Sequence, residues 1–232
     1  MPSAPTVVGR TLVASYVFLR QAIGYLGLTL PIVLAIGGLV SHTVIQDSMS
    51  AYYHTDMRNI FVGVLCAIGV FMLSYRGQEW QDVLAGDLAC VFAIGVAWFP
   101  VNLPGGTSPI GYIHYFFATS LFLTLSYFSL CLFTKTDPVK RPTRKKLQRN
   151  VVYKICGYTM LGAIALIGVI KVLGLDASGA ALHDLDPVFW LEATTVVAFG
   201  ISWLIKGEGI GMLNDGPEPA ASAAIEMPGR GR

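Results

Sequence analysis

The densest set of reactive side chains in this chain runs from Asp47 to Arg58 and includes Ser50, Tyr52, Tyr53, His54 and Asp56. Ser50 and His54 stand four apart, which on a helical turn puts them on one face. Asp47 joins them from one turn earlier. A Ser, a His and an Asp on one face suit the roles of nucleophile, base and orienter. They suit a helix cap with satisfied polar side chains equally well. Neither a G-x-S-x-G elbow nor an oxyanion-hole glycine pattern accompanies the triplet.

Three further polar residues stand inside apolar sequence. His114 lies in Gly111-Tyr112-Ile113-His114-Tyr115, Asp87 in Ala85-Gly86-Asp87-Leu88, and Glu192 in Phe189-Trp190-Leu191-Glu192-Ala193. With His54 and a carboxylate, His114 would complete a zinc site of two His and one acid. No H-E-x-x-H or similar short metal motif is present, so such ligands would be scattered over three helices. An ionisable residue within an apolar span calls for a named partner. Arg58, His54 or His114 is expected for Glu192, and Arg76 for Asp87. The plainer outcome is two helix-to-helix ion pairs, one at each end. No cofactor is expected.

The elements that must position these groups are set by composition. Hydrophobic residues make up 54% of 232 positions and charged residues 13%, against about 25% charged in a soluble domain. Six apolar stretches cover residues 20–40, 58–75, 83–100, 109–133, 151–173 and 187–206. A helical crossing takes about 20 apolar residues. The stretches show no period-2 alternation and are twice the length of a barrel strand, so helices must satisfy the backbone within lipid. The expected fold is all-α, a polytopic membrane bundle of six transmembrane helices over residues 20–206. Residues 1–19 precede it as a cytoplasmic segment, and 207–232 follow as a disordered, Pro- and Ala-rich cytoplasmic tail.

Charge gives the direction. The connection 134–150 carries Lys135, Lys140, Arg141, Arg144, Lys145, Lys146 and Arg149, which places it in the cytoplasm by the positive-inside rule. Six crossings then put both termini inside. Of the 16 Lys and Arg, only Arg58 and Lys171 fall outside. All four histidines, His42, His54, His114 and His183, fall on that outer side. The basic connection has no interleaved aromatics and no nucleic-acid-binding module. It reads as a topology determinant that touches anionic headgroups.

Local signals fill in the bundle. Ser108-Pro109 and Asp186-Pro187 each offer an N-cap followed by proline at the first helical position. Trp98, Phe99, Phe189 and Trp190 suit an outer aromatic belt, with Trp80 and Trp203 in an inner one. Pro31 is expected to kink the first helix. Ala85, Ala89, Ala93 and Ala97 form one stripe of small residues. Together with Gly24, Gly27, Gly157, Gly162 and Gly168 they signal close helix packing. The four cysteines, Cys66, Cys90, Cys131 and Cys156, form no C-x-x-C pair and read as free packing residues.

The run Ser-Met-Ser-Ala-Tyr-Tyr-His-Thr-Asp-Met-Arg-Asn-Ile-Phe-Val-Gly over residues 48–63 resembles a signature of small bacterial six-span membrane proteins of unknown function. Ile110-Gly-Tyr-Ile-His114 and Pro187-Val-Phe-Trp-Leu-Glu192 match further pieces. The order of these motifs is more loosely similar to DRAM-like (autophagy-modulator) membrane proteins. The resemblance implies a six-helix fold in a bacterial inner membrane and no assigned chemistry. Ser50 and His54 also resemble the start of the membrane hydrolases that include the alkaline ceramidases and the progestin/adiponectin-type receptors. Those have an Asp on the next helix and a late His-x-x-x-His pair. Here Asp87 falls in the opposite leaflet and no His-x-x-x-His exists.

These readings converge on an outer polar pocket of Asp47, Ser50, His54, Arg58, His114 and Glu192. Its expected role is recognition of a lipid headgroup or small ligand without covalent chemistry. A metal-dependent lipid hydrolase and a small proton-coupled carrier are the alternatives. Membrane lipids are the expected partners, with a second copy of the chain or another membrane protein as further candidates, and no nucleic acid.

Overall fold

The computed structural model describes residues 7–77, 79–103, 106–136, 141–177, 180 and 182–214. Among them the regular elements are helical: α1 Val7–Val40, α2 Arg58–Ser74, α3 Trp80–Trp98, α4 Pro109–Tyr127, α5 Arg144–Leu173 and α6 Pro187–Lys206. Five of these are long and apolar enough to cross a membrane. The other, α2, has 17 residues and is about 25 Å long at 1.5 Å per residue. Neighbours pack in chain order from α1 to α5, and α6 closes the ring between α5 and α1.

The helix ends follow from local chemistry. Glu79 and Asp82 form a reciprocal capping box at the start of α3. The Ser108 hydroxyl accepts the Gly111 N–H at 3.2 Å and Pro109 opens α4. Thr143 does the same for α5, accepting the Lys146 N–H at 3.0 Å. Gly174, at φ 61°, ends α5 in the left-handed region, where a residue without Cβ is unstrained. Asp186 departs from expectation. It adopts φ 45°, ψ 51° and makes no side-chain cap to α6, because capping geometry needs an extended backbone.

Several boundaries move. Helix α1 begins at Val7, ahead of the first apolar stretch, and continues through Pro31. Helix α5 begins at Arg144, inside the basic connection. The fourth apolar stretch changes from α to a π-turn at Phe128–Leu132, where the Ser129 hydroxyl donates to the Ser202 hydroxyl at 3.0 Å, which itself donates to the Phe199 carbonyl. The tail beyond residue 214 lies outside the described residues.

Packing sorts the small and aromatic residues. All four alanines of the α3 stripe are buried, and Ala93 and the Cys90 carbonyl face Gly69 of α2. Gly24 and Gly27 lie against Leu204, Phe199 and Gly200, so α1 and α6 approach backbone to backbone. Gly157 receives Leu130, but Gly162 and Gly168 face open space and carry no packing role. Trp190 and Trp80 are 55% and 70% exposed. Phe189 and Trp203 are not belt residues, being 1% and 0% exposed. Trp203 sits among Tyr75, Phe128 and Phe133 with ring centroids 5.0–5.4 Å away. All four cysteines are free.

Candidate functional site

The segment between α1 and α2 folds back over the bundle end and divides the six candidate residues. Ser50–His54 is a 3₁₀ turn, not an α turn. With three residues per turn, residues four apart no longer share a face. Ser50 is buried and turns toward α6, whereas His54 is exposed. The expected Ser-His-Asp face is therefore not formed. Asp47 contributes its backbone carbonyl, which accepts the Phe189 N–H at 3.1 Å and ties the segment to the first turn of α6.

Glu192 meets the same segment. Its carboxylate accepts the N–H of Met49 at 2.7 Å and that of Ser50 at 3.4 Å, with the Ser50 hydroxyl at 3.5 Å. This corrects the expected pairing with Arg58 or a histidine. Two backbone amides presented by a turn satisfy a carboxylate without bringing a second charge into apolar surroundings. Below this contact lies a small apolar cavity of about 40 Å³, lined by residues such as Leu65, Leu121 and Phe199, whose polar members are Ser50 and Glu192.

The histidines are held by backbone carbonyls of the α3–α4 connection. His54 Nε2 lies 2.9 Å from the Val101 oxygen and His114 Nδ1 lies 2.6 Å from the Phe99 oxygen. A carbonyl only accepts, so each of these nitrogens carries the proton. Metal-ligating imidazoles are oriented in the same way. However, no three His, Cys, Asp or Glu side chains converge as a metal set among the described residues. His114 is 1% exposed and sits inside the bundle.

Arg58 takes a different neighbour. Its guanidinium donates to the Tyr53 hydroxyl at 2.6 Å and lies 4.2 Å from the centroid of the Tyr53 ring. No carboxylate lies within 4.0 Å of it among the described residues. The pair separates two hollows. One, of about 640 Å³, is polar and lined by Thr43, Gln46, His54 and Asp56 besides Tyr53 and Arg58. The other, of about 420 Å³, adds Asn59, Val62, Trp98 and Phe99.

The structure thus brings Ser50 and Glu192 together, and His54 and Arg58 together, on opposite sides of one 3₁₀ turn. Tyr53 is the neighbour of Arg58 that the expected pocket leaves out. The alternation of Tyr52 and Tyr53 held the signal: Tyr52 is fully buried, which turns Tyr53 outward to Arg58. At the other end, Asp87 accepts from Arg76 at 2.8 Å as expected, with both side chains about half exposed. No family model, curated protein or solved structure matches this chain.

Proposed function

We propose that this chain is a six-span protein of a bacterial cytoplasmic membrane, with both termini inside, that recognises a lipid headgroup or small polar ligand at its outer end. Binding is non-covalent. The observation that carries the reading is Arg58. It is an exposed guanidinium fixed on a tyrosine ring, with no carboxylate partner among the described residues. A planar fork held in this way is pre-organised for a phosphate or carboxylate. The two hollows beside it differ in character, one polar and one edged by Val62, Trp98 and Phe99. That suits a ligand with a polar head and an apolar body. The sixth crossing rests on α2, which packs between α1 and α3 and is short by an amount that local thinning of the bilayer absorbs.

The test is lipid retention. Protein purified in mild detergent is compared as wild type, Arg58→Ala and Arg76→Ala by native mass spectrometry. Loss of a charged hydrogen bond predicts about tenfold weaker retention for Arg58→Ala, with unchanged thermal unfolding. Equal retention by all three proteins would sink the outer site.

A further inference from the structure

The polar hollow beside Arg58 holds a second charged group, Asp56, along with Tyr53, His54 and Gln46. Asp56 stands in the short turn between Ser50–His54 and α2. Thr55 locks that turn. Its hydroxyl accepts the Met57 N–H at 3.2 Å, and its carbonyl accepts the Arg58 N–H at 3.0 Å. Asp56 is exposed, and no cation lies within 4.0 Å of its carboxylate among the described residues. Arg58 is only two residues further on, yet its guanidinium is engaged by the Tyr53 hydroxyl and ring. One hollow thus holds a cation and an anion that do not pair with each other.

The rest of the lining adds acceptors. His54 donates through Nε2 to the Val101 carbonyl at 2.9 Å, which leaves Nδ1 of the neutral ring as an acceptor. Gln46 donates its amide N–H to the Val44 carbonyl at 2.9 Å, which leaves its side-chain oxygen to accept. The charges of Asp56 and Arg58 cancel, so the hollow is dipolar rather than positive. Arg58 and Tyr53 also border the second hollow, where Val62 follows one turn along α2 and Ala97 and Trp98 come from α3. Trp98 is 69% exposed, as a side chain does that meets the headgroup region of a bilayer.

We infer that this hollow reads the ammonium of an amino-phospholipid such as phosphatidylethanolamine, whose phosphate lies on Arg58. The inference rests on the headgroup reading of Arg58 given above. A primary ammonium carries three N–H donors and meets a carboxylate and neutral acceptors in one place. A quaternary choline has no N–H to give them. Phosphatidylglycerol brings an anion without a cation, which leaves Asp56 facing a like charge. Opposite charges within one ligand, met by opposite charges within one site, set specificity more than raw affinity. The apolar hollow beyond Arg58 favours a lipid over a soluble phosphoethanolamine, because an acyl chain covers Val62 and Trp98 and a free headgroup does not.

The full chain in maltoside micelles is offered equimolar phosphatidylethanolamine, phosphatidylcholine and phosphatidylglycerol with matched acyl chains, and bound lipid is identified by native mass spectrometry. The wild type should retain phosphatidylethanolamine about tenfold over either competitor, as one charged hydrogen bond predicts. Asp56→Asn should lose that preference while still holding phospholipid, and Asp87→Asn, at the other end of the bundle, should keep it. Equal retention of the three lipids by the wild type overturns the inference, even where Arg58→Ala sheds all three and the headgroup reading stands. Retention by Arg58→Ala at the wild-type level sinks the headgroup reading and this inference with it. A preference that survives Asp56→Asn, or that Asp87→Asn also abolishes, removes Asp56 as the reader. Soluble phosphoethanolamine at the lipid's concentration should displace nothing, and displacement would overturn the membrane source.

Discussion

Glu192 of α6 accepts the backbone N–H of Met49 at 2.7 Å, so a side chain in one helix holds the main chain of the segment that leads into another. Removing the acceptor leaves the Met49 and Ser50 amides without their partner. Glu192→Ala should destabilise the protein by about 1–3 kcal/mol and speed hydrogen exchange across residues 48–54. Because Arg58 is not the partner, adding Arg58→Glu to Glu192→Arg should restore nothing. Rescue by the double exchange would show that the charges do meet.

The contact between α1 and α6 predicts a paired result. A Cβ on Gly200 would lie 2.8 Å from the Gly24 carbonyl oxygen and from the Leu28 nitrogen, both main-chain atoms. Gly200→Ala should cost about 1–3 kcal/mol by overpacking. Gly162→Ala meets nothing within 4 Å and should gain up to about 1 kcal/mol from helix propensity. Thermal melts in detergent check both, and similar shifts for the two would contradict the packing.

Arg76 and Asp87 form an ion pair whose side chains are 52% and 44% exposed. Exposed pairs contribute about 0–1 kcal/mol. A double-mutant cycle with Arg76→Ala and Asp87→Ala should return a coupling in that range. A coupling of several kcal/mol would mean that the pair works in a drier setting than its exposure indicates.

Helix α2 decides topology. If its 17 residues cross the membrane, single cysteines placed at residue 10 and at residue 212, in a background with the four native cysteines replaced, report from the same side. A membrane-impermeant thiol reagent applied to intact cells should miss both and label one at residue 44. Labelling of only one terminus would mean five crossings.

Much of this arrangement was legible beforehand. Helix α6 spans Pro187–Lys206 as expected, because proline at one end and a charge at the other mark it. The Arg76–Asp87 pair was readable because only one cation lay near enough in sequence and depth. The outer pair was not, since sequence shows side-chain charges and hides the backbone amides that Met49 and Ser50 present. The starts of α1 and α5 are not legible from apolar length, which marks an apolar span, while helices extend past it until a cap such as Thr143. Phe189 and Trp203 were misplaced for a related reason. Depth along a helix is plain in the sequence, but which side of it turns inward depends on neighbours such as Tyr52 and Tyr75.

The helix that closes the ring between α5 and α1 is synthesised after both of them. Until Lys206 has been synthesised, Gly24 and Gly27 of α1 have no Gly200 to meet, and the aromatic nest around Trp203 lacks its centre. Until then the five earlier helices lack the member that joins α5 to α1. A chain stopped before α6 keeps the packing of α2 on α3 and of α3 on α4 but leaves uncovered the faces of α1 and α5 that α6 joins.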